Sequence, residues 1–148
     1  RRYCENELVN LLCSSFAEKA QHAGARLDVD ARLPQALDIS DAELCAVLSN
    51  ALENALHAVA ALPENERTVS LYCAVRLGKL LIEVKNPYAG ELTLSPDGRP
   101  VTARKGHGYG CQSIQTIAAR SGGLCEFKAG CGTFCLQIVL PLKAAAPV

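Results

Sequence analysis

Two pairs of short apolar runs, each closed by a glycine-bearing turn, constrain this chain more than anything else in it. Thr68 to Val75 and Leu80 to Lys85 are separated by Leu77-Gly78-Lys79. Leu124 to Lys128 and Thr133 to Leu140 repeat the arrangement around Ala129-Gly130-Cys131-Gly132. Glycine takes φ > 0 without steric cost, and a turn this short can only join neighbouring strands antiparallel. The chain is therefore predicted to hold two β-hairpins. Ala25 to Ala31 alternates Leu27, Val29 and Ala31 with polar residues and reads as a further strand. Leu33-Pro34 reads as a loop, and Ala36 to Ile39 as a short extended piece.

Helical periodicity fills the rest. Leu8, Leu11, Leu12, Phe16 and Ala20 predict a helix from about Tyr3 to Ala23, stopped by Gly24. Ser40 or Asp41 caps a second helix that runs to about Ala61, with Glu43 in its first turn and Pro63 just beyond its end. A third helix spans about Tyr109 to Ser121, ahead of Gly122-Gly123. The order is helix, strand, helix, hairpin, long loop, helix, hairpin. It predicts an α/β chain folded as a two-layer α/β sandwich, with a mixed, mostly antiparallel sheet and helices on one face.

Composition narrows the function classes. At 148 residues with 49% hydrophobic content, this is one domain with a real core. Fifteen basic residues cancel fifteen acidic ones, which argues against a nucleic-acid partner. No apolar run reaches the roughly 18 residues of a membrane span, and no signal peptide is evident. The chain lacks methionine even at residue 1, so it is expected to be a piece of a longer protein, with any membrane or sensor portion elsewhere. None of the eight cysteines forms a C-x-x-C pair. They read as reduced residues packed as small hydrophobes, not as a zinc set at Cys125, Cys131 and Cys135.

Two features carry chemistry. The helix from Asp41 has a broad apolar stripe of Leu44, Val47, Leu48, Ala51, Leu52, Ala55 and Val59. Beside it, Asn50, Asn54, His57 and Ala58 share an adjoining face. Buried amides need partners there, so they are either satisfied structural groups or the polar wall of a pocket. An Asn carbonyl is a hard oxygen suited to Mg²⁺ alongside phosphate oxygens. Gly106-His107-Gly108-Tyr109-Gly110 opens the third helix, where unsatisfied N–H groups and partial positive charge favour a phosphate. Between these features, Asn86 to Lys105 is a long loop with Pro87, Pro96 and Pro100, expected to be unordered without its ligand.

Leu48-Ser49-Asn50-Ala51-Leu52-Glu53-Asn54-Ala55 resembles the N box of the gyrase, heat-shock chaperone, histidine kinase and MutL ATPases, and Gly106 to Gly110 resembles their glycine-rich box. Ser121-Gly122-Gly123 and Gly130-Cys131-Gly132-Thr133-Phe134 through Leu140-Pro141-Leu142 match in order and spacing. The chain is most similar to the ATP-binding domain of bacterial sensor histidine kinases of the peptide-quorum-sensing subgroup. The resemblance implies a Bergerat-type fold over residues 25–142, with residues 1–24 as a junction to a dimerisation domain and 143–148 as a tail. It implies ATP and Mg²⁺ as cofactors, with Asn54 as the metal ligand and Asn50 on the phosphate side. His57 falls where relatives carry a basic or polar group, although a surface helix histidine fits it equally. Lys105, Gly106, His107, Gly108, Tyr109 and Gly110 would form the lid over the triphosphate, and Thr133 would reach the adenine.

One departure stands out. Most relatives carry Asp-x-Gly-x-Gly after the second hairpin strand, where the Asp accepts from the adenine amino group, although the quorum-sensing subgroup departs from it in the same way. This chain reads Asn86-Pro87-Tyr88-Ala89-Gly90. Asn86 still offers a carbonyl acceptor. Hydrolytic relatives place Glu one turn before the metal-binding Asn, whereas this chain has Asn50, which cannot accept a proton near neutral pH. Transfer to a protein histidine is therefore expected over hydrolysis. His22, His57 and His107 lack a phosphoacceptor context, so that histidine is expected on a partner dimerisation domain of the same, membrane-anchored cytoplasmic sensor, with a response regulator beyond it. A non-catalytic binding module of the same fold and an anti-sigma-factor-type serine kinase are the alternatives.

Overall fold

The computed structural model describes residues 2–88, 93–94, 100–101 and 109–143. In chain order its elements are α1 (Glu7–His22), β1 (Arg26–Arg32), α2 (Asp41–Val59), a 3-10 turn (Glu64–Glu66), β2 (Thr68–Arg76), β3 (Lys79–Pro87), β4 (Thr93–Leu94), β5 (Pro100–Val101), α3 (Tyr109–Arg120), β6 (Leu124–Gly130) and β7 (Thr133–Pro141). The main sheet has the order β1-β2-β3-β7-β6, and β4 pairs only with β5.

Each predicted hairpin forms, β2 with β3 and β6 with β7. Both close with two residues at positive φ. Leu77 and Gly78 sit at 51° and 73°, and Cys131 and Gly132 at 54° and 77°. Two successive positive-φ residues match the right-handed twist of the flanking strands. The first place in each turn is held by a residue other than glycine, which the turn glycines alone did not foretell. β1 runs parallel to β2 because α2 carries the chain across between them. The other main-sheet pairings are antiparallel, so the sheet is mixed as predicted.

The core lies between one sheet face and the helices. Leu80, Ile82 and Val84 on β3 and Leu136, Ile138 and Leu140 on β7 alternate inward with exposures of 2% or less. Against them packs the α2 stripe of Leu44, Val47, Leu48, Ala51, Leu52, Ala55 and Val59, each buried. Burying one such leucine contributes about 1.5–3 kcal/mol, so this stripe fixes α2 on the sheet. Ser40 caps the helix by accepting from the Glu43 amide at 3.0 Å.

Gly122 and Gly123 do two jobs. Gly122 ends α3 at φ 75°, and the Gly123 amide donates back to the Ala118 carbonyl at 2.7 Å. A Cβ at Gly123 would collide with the Val139 carbonyl oxygen, so the chain passes β7 only as glycine.

Three boundaries differ from the sequence expectation. α1 begins at Glu7, because Asn6 caps it by accepting from the Val9 amide and thereby ends helical geometry upstream. Ala36 to Ile39 forms no strand; it lies in the connection to α2. Asn86 and Pro87, expected in the loop, complete β3 by pairing with Phe134 and Thr133. Most of the remaining 86–105 stretch lies outside the described residues. Cys13 and Cys73 are core residues, whereas Cys131 is exposed in the β6–β7 turn. Among the described residues no helix is long and apolar enough to cross a membrane.

Candidate nucleotide site

The polar face of α2 leaves the core along one edge of its apolar stripe. Asn50 and Asn54 are half-buried and one turn apart, and His57 is exposed at the end of the helix. Across from Asn50 stands α3, which packs along α2. Asn50 and Ala46 form one wall of a cleft of about 520 Å³, and Gln112, Ser113, Thr116 and Arg120 of α3 form the other. The two walls are rows spaced by four residues, the natural outcome of two helices whose polar edges meet.

The first turn of α3 therefore lies across from Asn50. α1 and α2 each carry an acidic residue in the first turn, but α3 has none. Its N-terminal N–H groups and positive dipole end are not offset by the helix itself. Tyr109 and Gly110 belong to that turn. Lys105, Gly106, His107 and Gly108 lie outside the described residues.

Asn86 continues the inward row of β3 beyond Val84 and is 3% exposed. It is thus an amide at the end of an otherwise apolar row. Its Nδ2 donates to the Pro87 carbonyl at 2.9 Å, which leaves Oδ1 as the acceptor it presents. Opposite it, Phe134 is buried and stacks on Phe127 with ring centroids 5.9 Å apart. Thr133 pairs with Pro87, one step from Asn86 along the ladder. Its side chain is exposed and lies outside the inward row, which starts at Phe134. The Tyr88 amide donates to the Gly132 carbonyl at 3.0 Å and ties the β3 exit to the β6–β7 turn.

Glu53, next to Asn54, faces elsewhere. Its Oε1 lies 2.7 Å from Lys19 Nζ on α1. No carboxylate among the described residues lines the Asn50 cleft. The described residues hold no group of three His, Cys, Asp or Glu side chains suited to a metal ion. Any metal here would need amide and phosphate oxygens, the chemistry of a hard cation that keeps several waters.

The α3 wall is the part that sequence reasoning missed. Its signal was present, since Gln112, Thr116 and Arg120 recur every four residues and form one polar edge of that helix.

Comparison with known proteins bears on the fold and the family. No curated protein matches the chain in sequence. Among solved structures, the nucleotide-free catalytic domain of histidine kinase ThkA aligns over 91% of this chain and 90% of its own, with TM-score 0.71 and 18% identity. Histidine kinase AdeS of Acinetobacter baumannii aligns over 93% of this chain with TM-score 0.66 and 11% identity. Full-length ShkA in complex with AMPPNP aligns over 95% with TM-score 0.69 and 21% identity. The chain spans 64% of the AdeS chain and 31% of the ShkA chain, so it corresponds to one part of those proteins. At these identities the likeness is one of fold. The family model described as the GHKL domain matches residues 39–141, from the residue before the Ser40 cap to the last residue of β7, and the chain belongs to that family.

Proposed function

We infer that this chain is the ATP-binding domain of a two-component sensor histidine kinase and positions Mg-ATP for phosphoryl transfer to a histidine outside it. The observation that carries the reading is the cleft in which Asn50 of α2, one turn from Asn54, faces Gln112 in the first turn of α3, a turn with no acidic residue of its own. The donor set fits the group. Amide oxygens suit Mg²⁺, and a helix N-terminus suits phosphate.

In this reading Asn54 holds the metal and Asn50 lines the phosphates. Asn86 accepts from the adenine amino group and Lys105 through Gly110 close over the triphosphate, while Thr133, which faces away from the Asn86 row, would reach the adenine only through water. Bound Mg-ATP supplies the phosphoryl group and a cation that offsets its charge. The protein contributes alignment and charge placement, which is most of what phosphoryl transfer asks of it. Asn50 cannot take a proton from water, and the nearby carboxylate of Glu53 is engaged by Lys19. Both points favour transfer over hydrolysis. The acceptor would be a histidine on a dimerisation domain of the same protein, and the next recipient a response regulator.

The test is calorimetric titration of the chain with Mg-ATP, followed by phosphorylation of a dimerisation domain supplied in trans. A chain that binds Mg-ATP but only releases phosphate to water would contradict the proposal.

A further inference from the structure

Residues 2–5 precede α1 without being helical, yet they are held tightly. Tyr3 and Cys4 are half-buried against the core. Asn10, 8% exposed, directs both ends of its amide at them. Its Oδ1 accepts from the Tyr3 amide at 2.6 Å and the Cys4 amide at 2.9 Å, and its Nδ2 donates to the Cys4 carbonyl. One side chain thus supplies the bonds that a neighbouring strand would otherwise give. The two backbone donors fix which end of the amide is oxygen.

One turn earlier, Asn6 is 7% exposed and faces both ways. Its Oδ1 caps α1 at the Val9 amide, and its Nδ2 donates to the Gln35 carbonyl at 3.3 Å. Gln35 lies in the connection that ends at Ser40, the cap of α2. The Asn10 amide donates to the Asn6 carbonyl at 3.0 Å, and the Cys4 thiol donates to the same oxygen at 3.6 Å. A buried Asn is a poor choice for a helix unless its partners repay the desolvation. Two of them at the same end of α1, each bonded to a different segment, serve geometry more than burial.

We propose that Asn6 and Asn10 form a joint that couples the segment entering α1 to the N-terminus of α2, so that displacement of that segment alters the helix carrying Asn50 and Asn54. The coupling runs from Tyr3 and Cys4 through Asn10 to Asn6, then through Gln35 to the Ser40 cap. Its regulatory meaning rests on the nucleotide-site reading above. The joint itself does not. Linkage is reciprocal, so nucleotide on α2 must also change the joint.

The experiment is residue-resolved amide exchange on the 148-residue chain, with and without saturating Mg-ATP, for wild type, Asn10→Leu and Asn6→Ser. Leu keeps the branched shape, at somewhat larger volume and with better helix propensity, but removes all three bonds. Ser keeps an N-cap acceptor but loses the Gln35 contact. In Asn10→Leu, exchange at Tyr3 and Cys4 is expected to rise about tenfold or more, with a rise of about threefold or more at Glu43 and Leu44 in the first turn of α2. In Asn6→Ser only Glu43 and Leu44 should loosen. Mg-ATP should change protection at Tyr3 and Cys4 in wild type and not in Asn10→Leu. If Glu43 and Leu44 are unmoved in both variants, the joint is refuted. If wild type binds Mg-ATP and Tyr3 and Cys4 do not respond, the link to the site is refuted. If wild type binds no nucleotide, the functional reading fails, and Glu43 and Leu44 still decide the joint.

Discussion

The Glu53 carboxylate lies 2.7 Å from the Lys19 ammonium, which also sits 4.9 Å above the Phe16 ring. This bond ties α1 to α2 and turns the one acidic neighbour of Asn54 away from the polar face of the helix. Both side chains are more than half exposed, so the pair acts through orientation more than through energy. Glu53→Gln is expected to change stability by less than about 1 kcal/mol. Mg-ATP affinity and phosphate release should stay as in wild type, measured by calorimetry and a phosphate assay. A variant that loses turnover would make Glu53 the missing base.

Asn86 is buried and donates to the Pro87 carbonyl. In Asn86→Asp a carboxylate oxygen would face that carbonyl in an apolar row. The predicted cost is about 1–3 kcal/mol at neutral pH, from one lost bond and an uncompensated buried acceptor. Denaturant unfolding at pH 7 and pH 4 checks it. The loss should shrink at the lower pH as the acid becomes protonated and regains a donor.

Gly123 has no room for a side chain beside Val139, whereas an added Cβ at Gly130 meets nothing within 4 Å. Gly123→Ala should destabilise by more than about 3 kcal/mol, since β7 or α3 must shift. Gly130→Ala should stay within about 1 kcal/mol. Equal effects in chemical denaturation would contradict the close approach of α3's exit to β7.

Two core thiols set an alkaline limit. Burial pushes Cys13 from 9.0 up to about 12, with nearby Cys4 adding to the rise. Burial pushes Cys73 up as well, with Cys13 the next cause. Above pH 9.0 the unfolded chain ionises these thiols while the folded chain keeps their protons. The folded state then holds more protons, so stability falls as pH rises through this window and is unaffected by them below it. Denaturation midpoints across pH 8 to 11 should decline, and Cys13→Ala should flatten the decline. A slope unchanged in that variant would remove Cys13 from the cause.

How much of this was legible in the residues depended on whether the signal was local. The α2 stripe and the two glycine turns were readable because helix and strand periods are written over adjacent positions. The start of α1 was not. Leu8 and Leu12 continue a helical pattern toward Tyr3, yet Asn6 stops it through a side-chain bond, and Asn10 folds Tyr3 and Cys4 back on themselves. Leu11 fits the same pattern but is 70% exposed, since periodicity does not say how wide the buried face is. Asn50 and Asn54 could be placed on one face from their spacing. Their opposite wall on α3 follows only from packing, because nothing local records which helices meet.

The proposed site stands or falls with Asn54 as the residue through which α2 holds a metal-bound nucleotide. The most direct measurement is calorimetric titration of wild type and Asn54→Ala with ATP, with and without Mg²⁺. Wild type should bind more tightly with Mg²⁺, and Asn54→Ala should lose at least about tenfold in Mg-ATP affinity, the scale of one lost charge-assisted contact, while remaining folded. Equal Mg-ATP affinity in the folded variant and wild type would remove Asn54 from the site.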